Sequence, residues 1–333
     1  MSLFGKKYDF VAIGDVVTDA FIRLKDASTH CKLDHTACEL CVRFGDKVPF
    51  ESVEVIPAVG NSPNASVSAS RLGLKSALLA VVGDDKNGHE CLEALRKNNV
   101  STQYIDADKT LPTNYHYVLW YEVDRTILVN HSPFERHLPK NMKAPKWIYL
   151  SSLGENTLNF HNEIADFLEK NKDTKLAFQP GTFQIKIGSE KLSRIYKRTD
   201  VFFCNVEEAQ KILNLETRDL PTLLEKMHDL GPKTVVITDG IDGAYVREEN
   251  GRKFFMPVYP HKPVERTGAG DAFASTVTSV LAMGKSIDEA LRWAPVNAMS
   301  VTQFVGAQKG LLTKAKIQEL LSRAPADYKL KEL

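Results

Sequence analysis

Long apolar runs are missing from this 333-residue sequence, and none approaches the length that crosses a bilayer. The opening Met1-Ser2-Leu3-Phe4-Gly5-Lys6-Lys7 lacks the apolar core of a secretory signal, so the expectation is a cytoplasmic protein with no membrane partner. An excess of one charge is missing too. The 43 Lys and Arg stand against 42 Asp and Glu, which gives no global field to attract a nucleic acid. Five cysteines, an odd number in a chain this long, do not make a secreted disulfide framework. Cys91 and Cys204 fall in a predicted helix and strand, where a buried reduced thiol is usual. The cluster His30, Cys31, His35, Cys38 and Cys41 holds one Cys-x-x-Cys spacing suited to zinc but no second pair, and reads otherwise as side chains of an irregular strand region. The common nucleotide fingerprints are also absent. There is no Gly-x-x-x-x-Gly-Lys-Ser/Thr loop, and the first strand runs into Gly14-Asp15-Val16-Val17 rather than Gly-x-Gly-x-x-Gly, which disfavours a Walker-type ATPase and a common dinucleotide oxidoreductase.

Among what is present, Thr267-Gly268-Ala269-Gly270-Asp271 is the most informative stretch. Its glycines let the backbone pass close to an anion, and Phe273, Val277, Val280 and Leu281 recur at helical spacing up to a stop at Gly284. A helix starting there aims unpaired N–H groups and the positive end of its dipole at that anion. Asp271 in such a place fits a carboxylate that takes a proton from a group attacking a phosphate. The plain alternative is a helix cap at a loop junction.

The rest of the chain alternates strand and helix. Apolar runs predict buried strands at 10–14, 77–82, 147–150, 176–178, 201–204 and 234–237, and periodic segments predict helices at 63–72, 88–98, 158–169, 206–213 and 220–230. Ser286 to Glu289 is a capping box for a last long helix through Val301, which Pro295 is expected to interrupt. This is an open α/β sandwich, 43% hydrophobic and long enough for one large domain. Tyr115–Tyr121 and Thr126–Val129 predict a hairpin, either part of a small separate sheet with the strands near Phe21 and Cys41 or an antiparallel edge of the main sheet. In open α/β sheets ligands bind beyond the carboxyl ends of the strands. Asp15, Asp19, Asn205, Glu208, Thr238, Asp239, Gly240 and Gly243 all follow strands, although turns and helix caps account for each one singly.

Taken together, these motifs resemble the ribokinase-like (PfkB) sugar and nucleoside kinases, from about Phe10 to about Leu312. Glu265 to Asp271 resembles the family's C-terminal signature, Asn205-Val206-Glu207-Glu208 its Asn-x-x-Glu motif, Thr238 to Gly243 its Thr-x-Gly-x-x-Gly segment, and Gly60 to Asn64 its N-terminal Gly-Gly-x-x-x-Asn motif. The resemblance implies a three-layer α/β/α sandwich with a mostly parallel sheet, in a single domain over 1–333, and a small β-sheet lid from segments of about 17–58 and 112–132. It implies Asp271 as catalytic base with Gly268, Ala269 and Gly270 as the anion hole. Asp19, Gly60, Asn61 and Asn64 are implied on the acceptor. Asn205, Thr238, Gly240, Gly243, Thr267 and Asn297 are implied on ATP, with Asn205 and Glu208 placing Mg2+, mainly through water.

Some residues depart from the family pattern. Val59 replaces the first Gly of the N-terminal motif, Val17 and Asn61 stand where ribokinases use Asn and Lys on the sugar, and Glu265 replaces an Asp that helps to hold a monovalent cation. Ribose and potassium activation therefore stay open. The implied activity is phosphorylation of an alcohol group on a sugar or sugar derivative, with an adenosine-type nucleoside kinase as the alternative, followed by a non-catalytic binding regulator and a vitamin-type kinase. A homodimer through the lid is the implied assembly.

Overall fold

The computed structural model describes residues 7–31, 38–122 and 124–333. The chain opens with β1 (Phe10–Ile13), β2 (Val17–Leu24), β3 (Ser28–Cys31), β4 (Cys38–Cys41) and β5 (Phe50–Val59). After α1 (Asn61–Arg71) come β6 (Ser76–Gly83), α2 (Lys86–Lys97), β7 (Ser101–Asp108), β8 (Asn114–Tyr121) and β9 (Asp124–Asn130). The middle holds β10 (Trp147–Leu150), α3 (Leu158–Lys170), β11 (Lys175–Phe178), α4 (Thr182–Ile187), α5 (Ser193–Arg198) and β12 (Val201–Asn205). The chain continues through α6 (Val206–Leu213), α7 (Leu220–Asp229), β13 (Thr234–Thr238), β14 (Ala244–Arg247), β15 (Lys253–Met256), α8 (Ala269–Ala282), α9 (Ile287–Val301), α10 (Lys314–Ser322) and β16 (Lys331–Glu332).

The main sheet has ten strands in the order β16-β15-β14-β13-β12-β11-β10-β1-β6-β7. From β13 to β7 every neighbour pairs in parallel, while β14, β15 and β16 add an antiparallel edge. All four side chains of β1 are buried, because a parallel strand is covered on both faces. Alternate residues serve different layers. Phe10 and Ala12 pack with α1, α2, α8 and α9, whereas Val11 and Ile13 pack with α3, α5, α6 and α7. This is the three-layer α/β/α sandwich.

A second sheet, β5-β2-β8-β9, stands apart as the lid, with β2 and β8 parallel and the other pairs antiparallel. The 115–129 hairpin therefore belongs to a separate sheet. The antiparallel edge of the main sheet comes instead from short segments after Gly243, which the apolar pattern left unmarked.

Two local expectations are corrected. Helix α9 runs unbroken through Pro295, because one missing N–H donor is outweighed when Leu291, Ala294, Pro295 and Val296 are all buried on one packed helix. In the cysteine cluster the antiparallel β3–β4 pair sets Cys31 opposite Cys38, and these two form a disulfide. Cys41 stays free, and no group of three metal-ligating side chains occurs among the described residues. His35 lies outside them. Cys91 and Cys204 are buried free thiols, as expected. No helix among the described residues is long and apolar enough to cross a membrane.

Candidate active site

The carboxyl ends of the adjacent parallel strands β1, β10, β11, β12 and β13 share one edge of the main sheet. Each is followed by a polar group: Asp15 after β1, Ser151 and Ser152 after β10, Gln179 after β11, Asn205 closing β12 and Thr238 closing β13. Gly14 makes the close approach there possible. A Cβ on it would stand 2.8 Å from the Ser152 carbonyl and against the Ser62 hydroxyl of α1.

Helix α8 delivers Asp271 to this edge. Its N-cap is Gly268, at φ 80°, a left-handed conformation that suits glycine, and a Cβ there would stand 2.7 Å from Ala307 Cα. No side chain caps the helix, so its first turn keeps donors available to an anion. The Ala269 N–H does make a long bond of 3.4 Å back to the Arg266 carbonyl. Asp271 lies within the first turn and is not the cap. Its Oδ1 accepts from Asn61 Nδ2 at 2.7 Å and from Gln179 Nε2 at 3.3 Å, and its Oδ2 from Asn64 Nδ2 at 2.9 Å. Burial pushes this carboxyl above the usual range, and the three neutral amide donors pull it part of the way back. Such a group accepts a proton more readily than an exposed carboxylate and is held in one orientation.

Asn61 and Asn64 reach it because Gly60, at φ 115°, turns β5 sharply into α1; a Cβ at Gly60 would stand 2.9 Å from the Asp15 carbonyl. Gln308 fixes Asn64 in turn, donating to its Oδ1 at 3.0 Å and to the Ala58 carbonyl at 2.7 Å. Gln179 accepts a hydrogen bond from the Tyr149 hydroxyl, which burial and the nearby Asp271 keep protonated.

A cavity of about 210 Å³ opens beside the base, lined by Asp19, Gly60, Asn61, Asn64, Thr267 and Asp271 among others. The resemblance implies Asp19, Gly60, Asn61 and Asn64 on the acceptor, Asp271 as base and Thr267 on ATP, and the structure brings all six to one cavity. Val17 and Val59, two of the departures from the family pattern, also line it. Asp19 sits in β2 opposite His116 of β8. Its Oδ1 is 3.3 Å from His116 Nδ1 but lacks the alignment of a hydrogen bond, and remains a buried acceptor without a donor. A ligand hydroxyl would satisfy it.

Behind Asp19 runs a chain of side chains that sequence reasoning missed. His116 Nε2 meets His131 Nε2 at 3.1 Å, and His131 Nδ1 lies 3.2 Å from Asp15 Oδ2. Asp15 also takes Arg136 Nη2 at 2.6 Å and the Gly154 N–H at 2.7 Å. Burial opposes its charge, but His131 and Arg136 prevail and hold its carboxyl below the ordinary value. Asp15 is thus a fully engaged anchor. No local signal marks His116, His131, Arg136 or Gln179, since each meets its partner only through the sheet topology.

Apart from Thr267, the nucleotide-side candidates do not line this cavity. Asn205 caps α6 by accepting from the Glu208 N–H at 2.8 Å, and Glu208 returns the bond to the Asn205 N–H at 2.9 Å. The two side chains form a complete capping box. Burial raises the Glu208 carboxyl, and the negative charges of Asp271 and Glu207 push the same way. Thr238 is paired in register with Asn205; Gly240 opens a short 3-10 turn, and Gly243, at φ 97°, leaves it where a Cβ would stand 2.5 Å from the Met256 carbonyl. Thr267 donates its N–H to Glu265 Oε1 at 2.7 Å. Asn297 is fully buried, donating to Thr276 Oγ1 at 2.8 Å and accepting from the Leu312 N–H at 2.8 Å. That position braces the wall of the site through α8 and the 302–312 loop.

Comparison with known proteins places the chain in a family and a fold. Residues 30–314 match the description "pfkB family carbohydrate kinase". Over 290 residues the chain is 30% identical to the ribokinase of Bacillus subtilis, covering 84% of this chain and 92% of the relative. The structure of Arabidopsis thaliana ribokinase complexed with ribose and ATP superposes with a TM-score of 0.79 at 18% identity, covering 95% and 99% of the two chains. An E. coli chain solved in complex with ATP and Mg2+ gives 0.76 at 17% identity, covering 94% and 99%. The protein belongs to the PfkB family of carbohydrate kinases and is a phosphotransferase with an alcohol group as acceptor.

Proposed function

We propose that this kinase transfers the γ-phosphate of ATP to an alcohol group of a sugar or sugar derivative, with Asp271 as general base. The reading rests on one observation: the buried carboxylate at the start of α8 shares a cavity with Asp19, whose buried Oδ1 has no donor. A polyol laid in that cavity gives one hydroxyl to Asp19 and brings another to Asp271. Gly60, Asn61 and Asn64 form the facing wall. Asp271 takes the proton of the attacking hydroxyl, and its raised proton affinity matches that task. The first-turn amides at Gly268 to Gly270 stabilise charge on the transferring oxygens.

On the nucleotide side, Asn205, Thr238, Gly240 and Gly243 follow the same sheet edge, Thr267 stands beside the base before α8, and Asn297 gives support. Asn205 and Glu208 are suited to placing Mg2+ through water, because they set an amide and a carboxylate, oxygen donors of the kind a hard hydrated ion takes, at the carboxyl end of β12. When bound, that ion neutralises charge across the phosphates. The lid shields the cavity from water.

A nucleoside acceptor is the second reading, favoured by Phe21 and Ile127, which give the cavity an apolar wall on the lid side. Val53 and Val55 of β5, Tyr117 of β8 and Leu128 of β9 are exposed on one face of the lid, and a homodimer that covers them fits an apolar face of this kind. The test is ADP release from ATP across a panel of sugars, sugar derivatives and nucleosides. Turnover with no member of the panel, by protein that still binds ATP, overturns the kinase reading in favour of a binding regulator.

A further inference from the structure

Glu265 stands three residues before Gly268, and its side chain is only 8% exposed. Its backbone is pinned, since the N–H groups of Val264 and Glu265 both bond the Thr302 carbonyl. Its Oε1 is engaged repeatedly: by the Thr267 N–H at 2.7 Å, by the Thr267 hydroxyl, and by Arg125 Nη1 at 3.0 Å. Oε2 is buried with no hydrogen bond. Arg125 comes from a distant part of the fold, strand β9 of the lid, where it pairs in register with Trp120. The carboxylate that holds Thr267, and with it the approach to the left-handed turn at Gly268, therefore draws a countercharge from the lid.

Burying a carboxylate is unfavourable unless it is paired, and losing one partner of a buried pair is felt mainly by the partner left behind. Glu265 cannot move away from that loss, because its backbone is fixed.

We infer that Arg125 is a positioning residue that couples the lid to the anion-binding turn at Gly268. With the guanidinium in place, Glu265 holds the Thr267 N–H and hydroxyl and the turn keeps its shape. With the lid lifted, the carboxylate loses this cation, and its hold on Thr267 loosens. Arg125 touches neither acceptor nor phosphate in this scheme. The coupling rests on the phosphotransfer reading of the site, and its effect is to align the first-turn amides only while the lid covers the acceptor.

The test is hydrogen–deuterium exchange of the full chain without ligand, comparing wild type with Arg125→Ala and Arg125→Lys. The expected result is several-fold faster exchange in 266–271 for Arg125→Ala, close to wild-type exchange for Arg125→Lys, and recovery of Arg125→Ala protection in millimolar guanidinium chloride. Unchanged exchange in 266–271 overturns the inference. So does faster exchange confined to the lid strands, or faster exchange that guanidinium fails to reverse. None of these readouts needs turnover, whereas failure of the kinase reading shows in the wild type as absence of transfer. Once an acceptor is known, Arg125→Ala is expected to lower kcat several-fold with the KM for ATP nearly unchanged; a change in KM alone overturns the inference.

Discussion

The acceptor end and the nucleotide end of this site are built in different ways. At the acceptor end, function hangs on side chains from remote parts of the chain: Asn61 meets Asp271 across 210 residues, and Arg136 meets Asp15 across 121. At the nucleotide end the motif pairs are local, the Arg125–Glu265 bridge from the lid being the exception. Asn205 and Glu208 are three residues apart, and Thr267 and Glu265 two. A local device such as a capping box is set by a short stretch of chain and survives changes elsewhere. A non-local one depends on the whole sheet holding register. On the proposed reading, a change at one distant residue is enough to alter the acceptor end, while the motif pairs of the nucleotide end are set by short stretches of chain.

The largest expected effect falls where the two ends meet. Asp271→Asn should lower transfer by at least about a hundredfold, in the range of general base catalysis, while ATP binding measured by calorimetry persists; transfer near the wild-type rate would remove the base assignment. Next, Asn61→Ala withdraws a donor that favours the charged form of Asp271, leaving burial to raise its carboxyl further. Activity requires the unprotonated base, so the acid limb of kcat/KM should move to higher pH, and a limb that stays put would break the link between α1 and the base. Third, Glu208→Gln should raise the magnesium concentration needed for half-maximal rate. A role as helix cap alone predicts little change in stability, since Gln keeps an acceptor for the Asn205 N–H, and an unchanged magnesium titration. Fourth, His116→Phe should raise the KM for the acceptor a few-fold and leave the KM for ATP alone, sharpening the contrast between the ends; parallel changes in both would blur it. The smallest effect on rate is expected from Leu128→Asp on the exposed lid face, whose readout is mass by light scattering, a shift from dimer to monomer.

The same contrast explains what could be read from the chain. The central strands were legible because Phe10–Ile13 and Val201–Cys204 are buried on both faces and so write continuous apolar runs. The turn before Asp271 was legible because Gly268 needs a positive φ that few other residues supply. β14 and β15 were not, since four-residue strands such as Ala244–Arg247, buried at every second residue, carry too few apolar positions to stand out. His116 was hidden among the aromatic residues of a hairpin, and only the parallel pairing of β2 with β8 sets it beside Asp19. Gln179 had no pattern to belong to, because its partner Asp271 lies 92 residues away.

Gly14 gives this architecture a particular vulnerability. It sits where β1, α1 and the Ser152 carbonyl crowd together, and α1 carries both Asn61 and Asn64. A single added methyl group there has no room and must push α1 outward, and the most exposed casualty is the pair of amides that orient the base. Such crowding also costs stability, about 1–3 kcal/mol, so folding and turnover are both affected. A mutational survey scored by abundance and by growth on the acceptor would find Gly14→Ala reduced in the first measure and depleted further in the second.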